Sequence, residues 1–273
     1  MCKQLRIWLF VILGTLLAST TLLAQGVITM TTSKAVGEEI ALRIEANGNV
    51  TIDGALEAGE MNEDGFKSFR IKSQTITIRG DVTELNCSWN QLTSLDVSKN
   101  TALTGLYCYN NQLTSLDVSK NTALKVLDCS YNQLTSLDLS QNTALTGLYG
   151  GQNQLTSLDV LKDTALTELD CPDNQLTSLD LSQNTALDFL DCSINQLTSL
   201  NISGCARLED LYCFSNCING EAMTKLVNSL PDRTGMSRGT LWVVSRSSKK
   251  SDKNRCSAAD VTTAKKKNWE VQQ

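Results

Sequence analysis

One feature constrains this chain more than any other, and it is a period. The unit Leu-x-Cys-x-x-Asn recurs every 21 residues, at Leu85/Cys87/Asn90, Leu106/Cys108/Asn111, Leu127/Cys129/Asn132, Leu148/Gly150/Asn153, Leu169/Cys171/Asn174, Leu190/Cys192/Asn195 and Leu211/Cys213/Asn216. No insertion disturbs the register. An apolar residue stands three before each leucine, from Val82 and Leu103 to Leu208, so every unit reads as a leucine-rich repeat with cysteine in one apolar slot.

A coil this short cannot bury its own apolar side chains, so its stability must come from stacking on its neighbours. Alternation sends Leu106 and Cys108 inward and Tyr107 outward, which predicts one short strand per unit in a parallel sheet. Six spacings of about 4.8 Å make a ladder roughly 30 Å long. Each unit then returns through Leu-Thr-Ser-Leu-Asp, as at 113–117, whose leucines face the same core. The asparagine of each unit, Asn90 through Asn216, sits where the chain leaves the strand. Its buried carboxamide is expected to satisfy backbone groups of its own coil and the next. A second column, Asn100, Asn121, Asn142 and Asn184, does the same at the other corner, with Asp163 and Cys205 as departures from it. The expected fold is therefore an α/β repeat: a right-handed leucine-rich-repeat solenoid with its parallel sheet on the concave side and mostly non-helical convex returns.

The flanks read as caps over open ends that would otherwise expose core and strand edges. Residues 1–24 combine a basic start (Lys3, Arg6), an apolar run and a small exit residue, Ala24, as in a secretory signal peptide. Cys2 precedes that run, so lipid attachment through it is not expected. Residues 25–80 alternate as strands and form a β-rich N-terminal cap, with Asn47-Gly48 marking a hairpin. The repeats occupy 81–218. Residues 219–273 predict an α/β cap: a helix through Met223, Leu226 and Val227 ending at Pro231, a strand over 240–244, a helix opened by the Ser257/Asp260 capping box, and a last strand at Trp269 and Val271.

The 21-residue text, read for example at 90–108, resembles the cysteine-ladder leucine-rich repeats of the bacterial internalin family. The resemblance covers about residues 82–218. It implies an adhesin-like, protein-binding role at a cell surface. Proteins of that type usually carry a cell-wall sorting tail, and none is read before Gln273.

Composition narrows the chemistry. The chain has no histidine, which removes the commonest general base and metal ligand, and no nucleophile motif takes its place. No enzyme, cofactor or metal is expected. The cysteine ladder (Cys87, Cys108, Cys129, Cys171, Cys192, Cys213) contains no CxxC pair, and Gly150 fills one slot, so it reads as small apolar filling. Stacked thiols point parallel and do not converge for disulfides; a bridge among Cys205, Cys217 and Cys256 is left open. Residues 25–220 carry a net charge of −13 and residues 221–273 one of +6, so the acidic repeats disfavour nucleic acid. After the signal peptide no segment is long and apolar enough to cross a membrane, which predicts a secreted or envelope protein.

The candidate site is the concave face. Its outward positions and the two residues beyond them carry Trp89, Tyr107, Tyr109, Tyr131, Tyr149, Phe189, Tyr212 and Phe214, including all five tyrosines, interleaved with Asp128, Asp170 and Asp191. The returns repeat almost one text. Variation confined to one face, rich in tyrosine, predicts a protein ligand. The alternative is a glycan, with aromatic rings stacking on sugars and carboxylates taking hydroxyls.

Overall fold

The computed structural model describes residues 26–245 and 252–273. The segment read as a signal peptide lies outside them. From the first coil onward each repeat gives one short parallel strand: β7 (Val82–Asn86), β9 (Gly105–Tyr107), β10 (Val126–Asp128), β11 (Gly147–Tyr149), β12 (Glu168–Asp170), β13 (Phe189–Asp191) and β14 (Asp210–Tyr212). The leucines of the period stand beside one another, Leu85 against Leu106, Leu127, Leu148, Leu169, Leu190 and Leu211 in turn. All are essentially inaccessible, as are the ladder cysteines and the second apolar row from Leu113 to Leu197. The period therefore sets the core, and no helix interrupts the returns.

The caps extend this architecture at both ends. The amino-terminal cap holds β1 (Val27–Thr32), β2 (Glu39–Ala46), β3 (Thr51–Asp53), β4 (Ala55–Glu57), β5 (Lys67–Ile71) and β6 (Thr75–Arg79), and β8 (Leu92–Asp96) is the first return. These strands divide between two sheets, and each sheet joins one wall of the solenoid. β2 pairs antiparallel with β7 on the sheet side, and β1 pairs antiparallel with β8 on the return side. Both edges of the first coil are thereby covered.

The hairpin expected at Asn47-Gly48 does not form. β2 and β3 enter different sheets, β2 beside β5 and β7, β3 beside β6. Gly48 (φ 105°) turns the chain from one wall to the other, and Asn47 N–H donates to the Asp81 carbonyl (2.9 Å). A turn signal specifies local backbone, whereas the pairing partner is chosen by which apolar face needs covering.

At the other end, α1 (Gly220–Ser229) buries Met223, Leu226 and Val227, and α2 (Ala258–Lys266) opens on the Ser257/Asp260 capping box. Between and after them run β15 (Gly239–Trp242) and β16 (Trp269–Gln272). Both are parallel additions to the same sheet, placing Leu241 and Val271 in the leucine column. Among the described residues no helix is long and apolar enough to cross a membrane.

Candidate functional site

The sheet face is positioned by the asparagine ladder behind it. Each Asn accepts from a backbone N–H of the preceding coil, as Leu113 N–H to Asn132 Oδ1 (3.0 Å). It donates to a carbonyl of that coil (Cys108, 3.0 Å) and to one of its own (Cys129, 3.1 Å). Asn111, Asn153, Asn174, Asn195 and Asn216 repeat this geometry. Asn90 instead clasps Ala41 of the cap, accepting from its N–H and donating to its carbonyl. Beyond the period, Asn254 adds a further rung by donating to Cys213 and Val243.

The second column is different in kind. Asn121, Asn142 and Asn184 donate twice backward, Asn142 for instance to the Val118 and Asn121 carbonyls (3.0 Å each), while their side-chain oxygens have no partner. At these three positions the site demands donors alone, whereas Asn100, at the start of the column, also accepts from Val82 N–H (3.2 Å). Asp163 stands in that register, 1% exposed, and burial with Asp159 close by pushes its carboxyl up to about 6.

The cysteine ladder is chemically quiet. Burial pushes the thiols up, to about 12 at Cys87 and Cys129, so they stay protonated and unreactive at neutral pH. All nine cysteines of the described residues, Cys205, Cys217 and Cys256 included, are free thiols. Gly150 leaves a gap in which an added Cβ would meet only Leu155, at 3.9 Å.

Pairing register brings the outward residues into rows. Tyr107, Asp128, Tyr149, Asp170, Asp191 and Tyr212 form one continuous central row on neighbouring strands. Phe189 lies in the row before the leucines, its ring 5.7 Å from that of Tyr212. Tyr109 and Phe214 lie in the row after the cysteines. Trp89 and Tyr131 stand apart: they occupy the left-handed turn that leaves the sheet (φ 63° and 54°), and they are its most exposed aromatics, at 65% and 52%. Trp89 leans back edge-on to Tyr109 (6.1 Å).

The period misses Trp242. It continues the central row beside Tyr212 (6.0 Å) and packs on Phe214 (4.8 Å), completing an aromatic cluster at the carboxy-terminal end of the face. The signal was present in Thr-Leu-Trp-Val-Val at 240–244, where Leu241 and Val243 take the Leu-x-Cys slots; α1 intervenes and breaks the 21-residue count. Two glycines shape the same face. A Cβ on Gly147 would come within 3.2 Å of the Tyr149 ring, and one on Gly105 within 3.4 Å of Tyr107, so Gly-Leu-Tyr lets each ring lie over its own strand.

The carboxylates of the central row differ according to the residue two positions beyond each. Asp128 and Asp191 accept from the N–H of Ser130 (3.1 Å) and Ser193 (2.8 Å), which partly offsets the upward push of burial. Pro172 has no N–H to offer Asp170, whose carboxyl, desolvated and beside Asp191, rises to about 6. Outside the row, Glu84 is paired with Arg43, and Glu168 accepts the Tyr149 hydroxyl.

No protein-family model matches the chain, and no curated protein matches it. Solved structures do. A leucine-rich-repeat protein of Leptospira interrogans, LIC12759, is 22% identical over 65% of this chain and 44% of its own, with a TM-score of 0.51. Internalin C2 of Listeria monocytogenes is 18% identical over 70% of this chain and 81% of its own, also at 0.51. The functional domain of InlJ from Listeria monocytogenes, which includes a cysteine ladder, is 25% identical over 64% of this chain and 52% of its own, at 0.29. The chain thus spans about half the length of InlJ's domain (52%) and of LIC12759 (44%). In fold, the chain is a leucine-rich-repeat solenoid whose solved structural neighbours include internalin-family proteins.

Proposed function

We propose that this chain is a protein-recognition module that takes its partner on the sheet face. The observation that carries this reading is the central row, where Asp128, Asp170 and Asp191 are interspersed in register with tyrosines and end on the Phe189/Tyr212/Phe214/Trp242 cluster. Clustered aromatic rings supply rigid contact area, and carboxylates that form no ion pair among the described residues select a basic or mixed partner surface. Binding, and not catalysis, fits a face without histidine or an activated nucleophile. An adhesin-like role at a cell surface follows if the segment at 1–24 directs export. Proximity capture on intact cells with the protein starting at Gln25 tests partner and location together; the captured protein should be lost in the triple variant Tyr107→Ala, Tyr149→Ala, Tyr212→Ala. Undiminished capture by that variant would sink the reading.

A further inference from the structure

The return face carries a feature that sheet-face binding leaves unused. Its text, Gln-Leu-Thr-Ser-Leu, is identical in all six full coils from Gln91 to Leu200. Its leucines are core and need no further reason. Its threonines and serines are exposed in every coil, from Thr93 and Ser94 to Thr198 and Ser199. Among the described residues only Thr93 of this array hydrogen-bonds within the chain through its hydroxyl, to the Thr31 carbonyl (3.4 Å). Any small polar residue would serve as solvated surface, and the sheet face, built from the same copies, has diverged at every exposed row. The rungs are held in step by backbone bonds from Gln112 N–H to Leu92, Gln133 to Leu113 and Gln154 to Leu134 (2.8 to 2.9 Å). The result is a double file of hydroxyls at one coil per step.

That file runs into a cleft of about 530 Å³, where α1 stands as a wall beside the fifth and sixth returns. Ser178 and Ser199 of the file line it, with Glu221 and Lys225 facing them from the helix, and Leu200 and Ala222 supply an apolar floor. Its lining carries one lysine, Lys225, against two carboxylates, Glu221 and Asp180, and Asp180 is already engaged by Ser182 N–H (3.0 Å) and Asn201 Nδ2 (2.9 Å). Unpartnered hydroxyls, an apolar floor and a slight excess of carboxylate, which accepts hydroxyl hydrogen bonds and repels anions, suit a neutral polyhydroxylated ligand. A repeating file suits a repeating one.

We infer that the return face is a second binding surface, and that the cleft between α1 and the last two returns seats a neutral linear glycan whose successive units meet successive Thr-Ser rungs. Titration calorimetry of the full chain against neutral hexasaccharides of β-1,4-, β-1,3- and α-1,4-linked glucose and of N-acetylglucosamine tests this. At least one should bind with a sub-millimolar Kd. Ser199→Trp, which fills the cleft from an exposed position, should weaken it at least tenfold. The isosteric set Thr135→Val, Thr156→Val, Thr177→Val should weaken it at least threefold, and it decides the matter should the tryptophan variant fail to fold. The sheet-face triple alanine variant should bind the sugar as the parent does, so failure here is distinct from failure of the protein-recognition reading. No binding by any hexasaccharide, binding indifferent to the return-face substitutions, or binding lost with the sheet-face tyrosines overturns the inference.

Discussion

The two faces of this solenoid grow from the same repeats and have diverged unequally. Along the sheet, the position after the leucine reads Tyr107, Asp128, Tyr149, Asp170, Asp191, Tyr212; along the returns, the exposed pair is Thr-Ser in every coil. The core cannot be the cause, since both faces cover buried leucines. On the reading proposed above, the difference lies in the ligand each surface suits: an irregular row fits one irregular partner, whereas a repeating file fits a ligand that repeats.

The sharpest way to break this contrast is to disable each face in turn. Tyr107→Ala, Tyr149→Ala and Tyr212→Ala together should reduce protein-partner affinity by about a hundredfold, within the range for central aromatic anchors, with no change in Tm beyond a few degrees. The threonine-to-valine set on the returns should leave that affinity unchanged. Surface plasmon resonance against the captured partner reads both.

A second test concerns the corner between the faces. Asp163 occupies a site that asks for two donors and offers none when ionised. Its folded carboxyl lies at about 6, above the ordinary value of 3.8, so the ionisation penalty is absent below pH 3.8, grows between pH 3.8 and 6 and stays constant above that. Asp163→Asn should therefore stabilise the protein at pH 7 by about 2–3 kcal/mol, and the advantage should shrink toward pH 4. Asp138, Asp159 and Lys162 line the small cavity beside it; of these, Asp159 raises its carboxyl and Lys162 lowers it. Urea denaturation at the two pH values checks the sign. An unchanged difference between pH 4 and 7 would count against the buried carboxyl.

On the sheet face, Asp170 predicts a pH dependence of binding. Its carboxyl ionises near pH 6, so attraction for a cationic partner should strengthen as pH rises from 5 to 7. Asp170→Asn should weaken binding by about tenfold at pH 7, which is about 1.4 kcal/mol, and by much less at pH 5. The smallest expected effect is at Gly150, where the slot is open and φ is not positive. Gly150→Ala should raise stability by about 0.5–1 kcal/mol, through reduced unfolded-state entropy and a filled gap, as read by thermal melting.

Much of this was legible because a period repeats its own proof. The leucine column, the cysteine slot and the double bonding of Asn132 follow from burial and backbone satisfaction alone, as does the capping box at Ser257. The features that escaped the sequence depended on partners distant in the chain. Asn47-Gly48 marks a turn but cannot say that β2 and β3 part to opposite walls. Trp242 joins the face only because β15 re-enters the register after α1, a return that no 21-residue count detects. The turn residues Trp89 and Tyr131 belong to the rim because the asparagine after each, Asn90 and Asn132, is turned inward, forcing the preceding residue into the left-handed region.

The most direct test places a photo-crosslinker on each face in turn, Tyr149→p-benzoylphenylalanine against Thr156→p-benzoylphenylalanine, and irradiates the protein on intact cells. Protein adducts should form from position 149 and be suppressed by added salt, with position 156 giving none. Protein adducts from 156 and none from 149 would contradict the assignment of protein recognition to the sheet face.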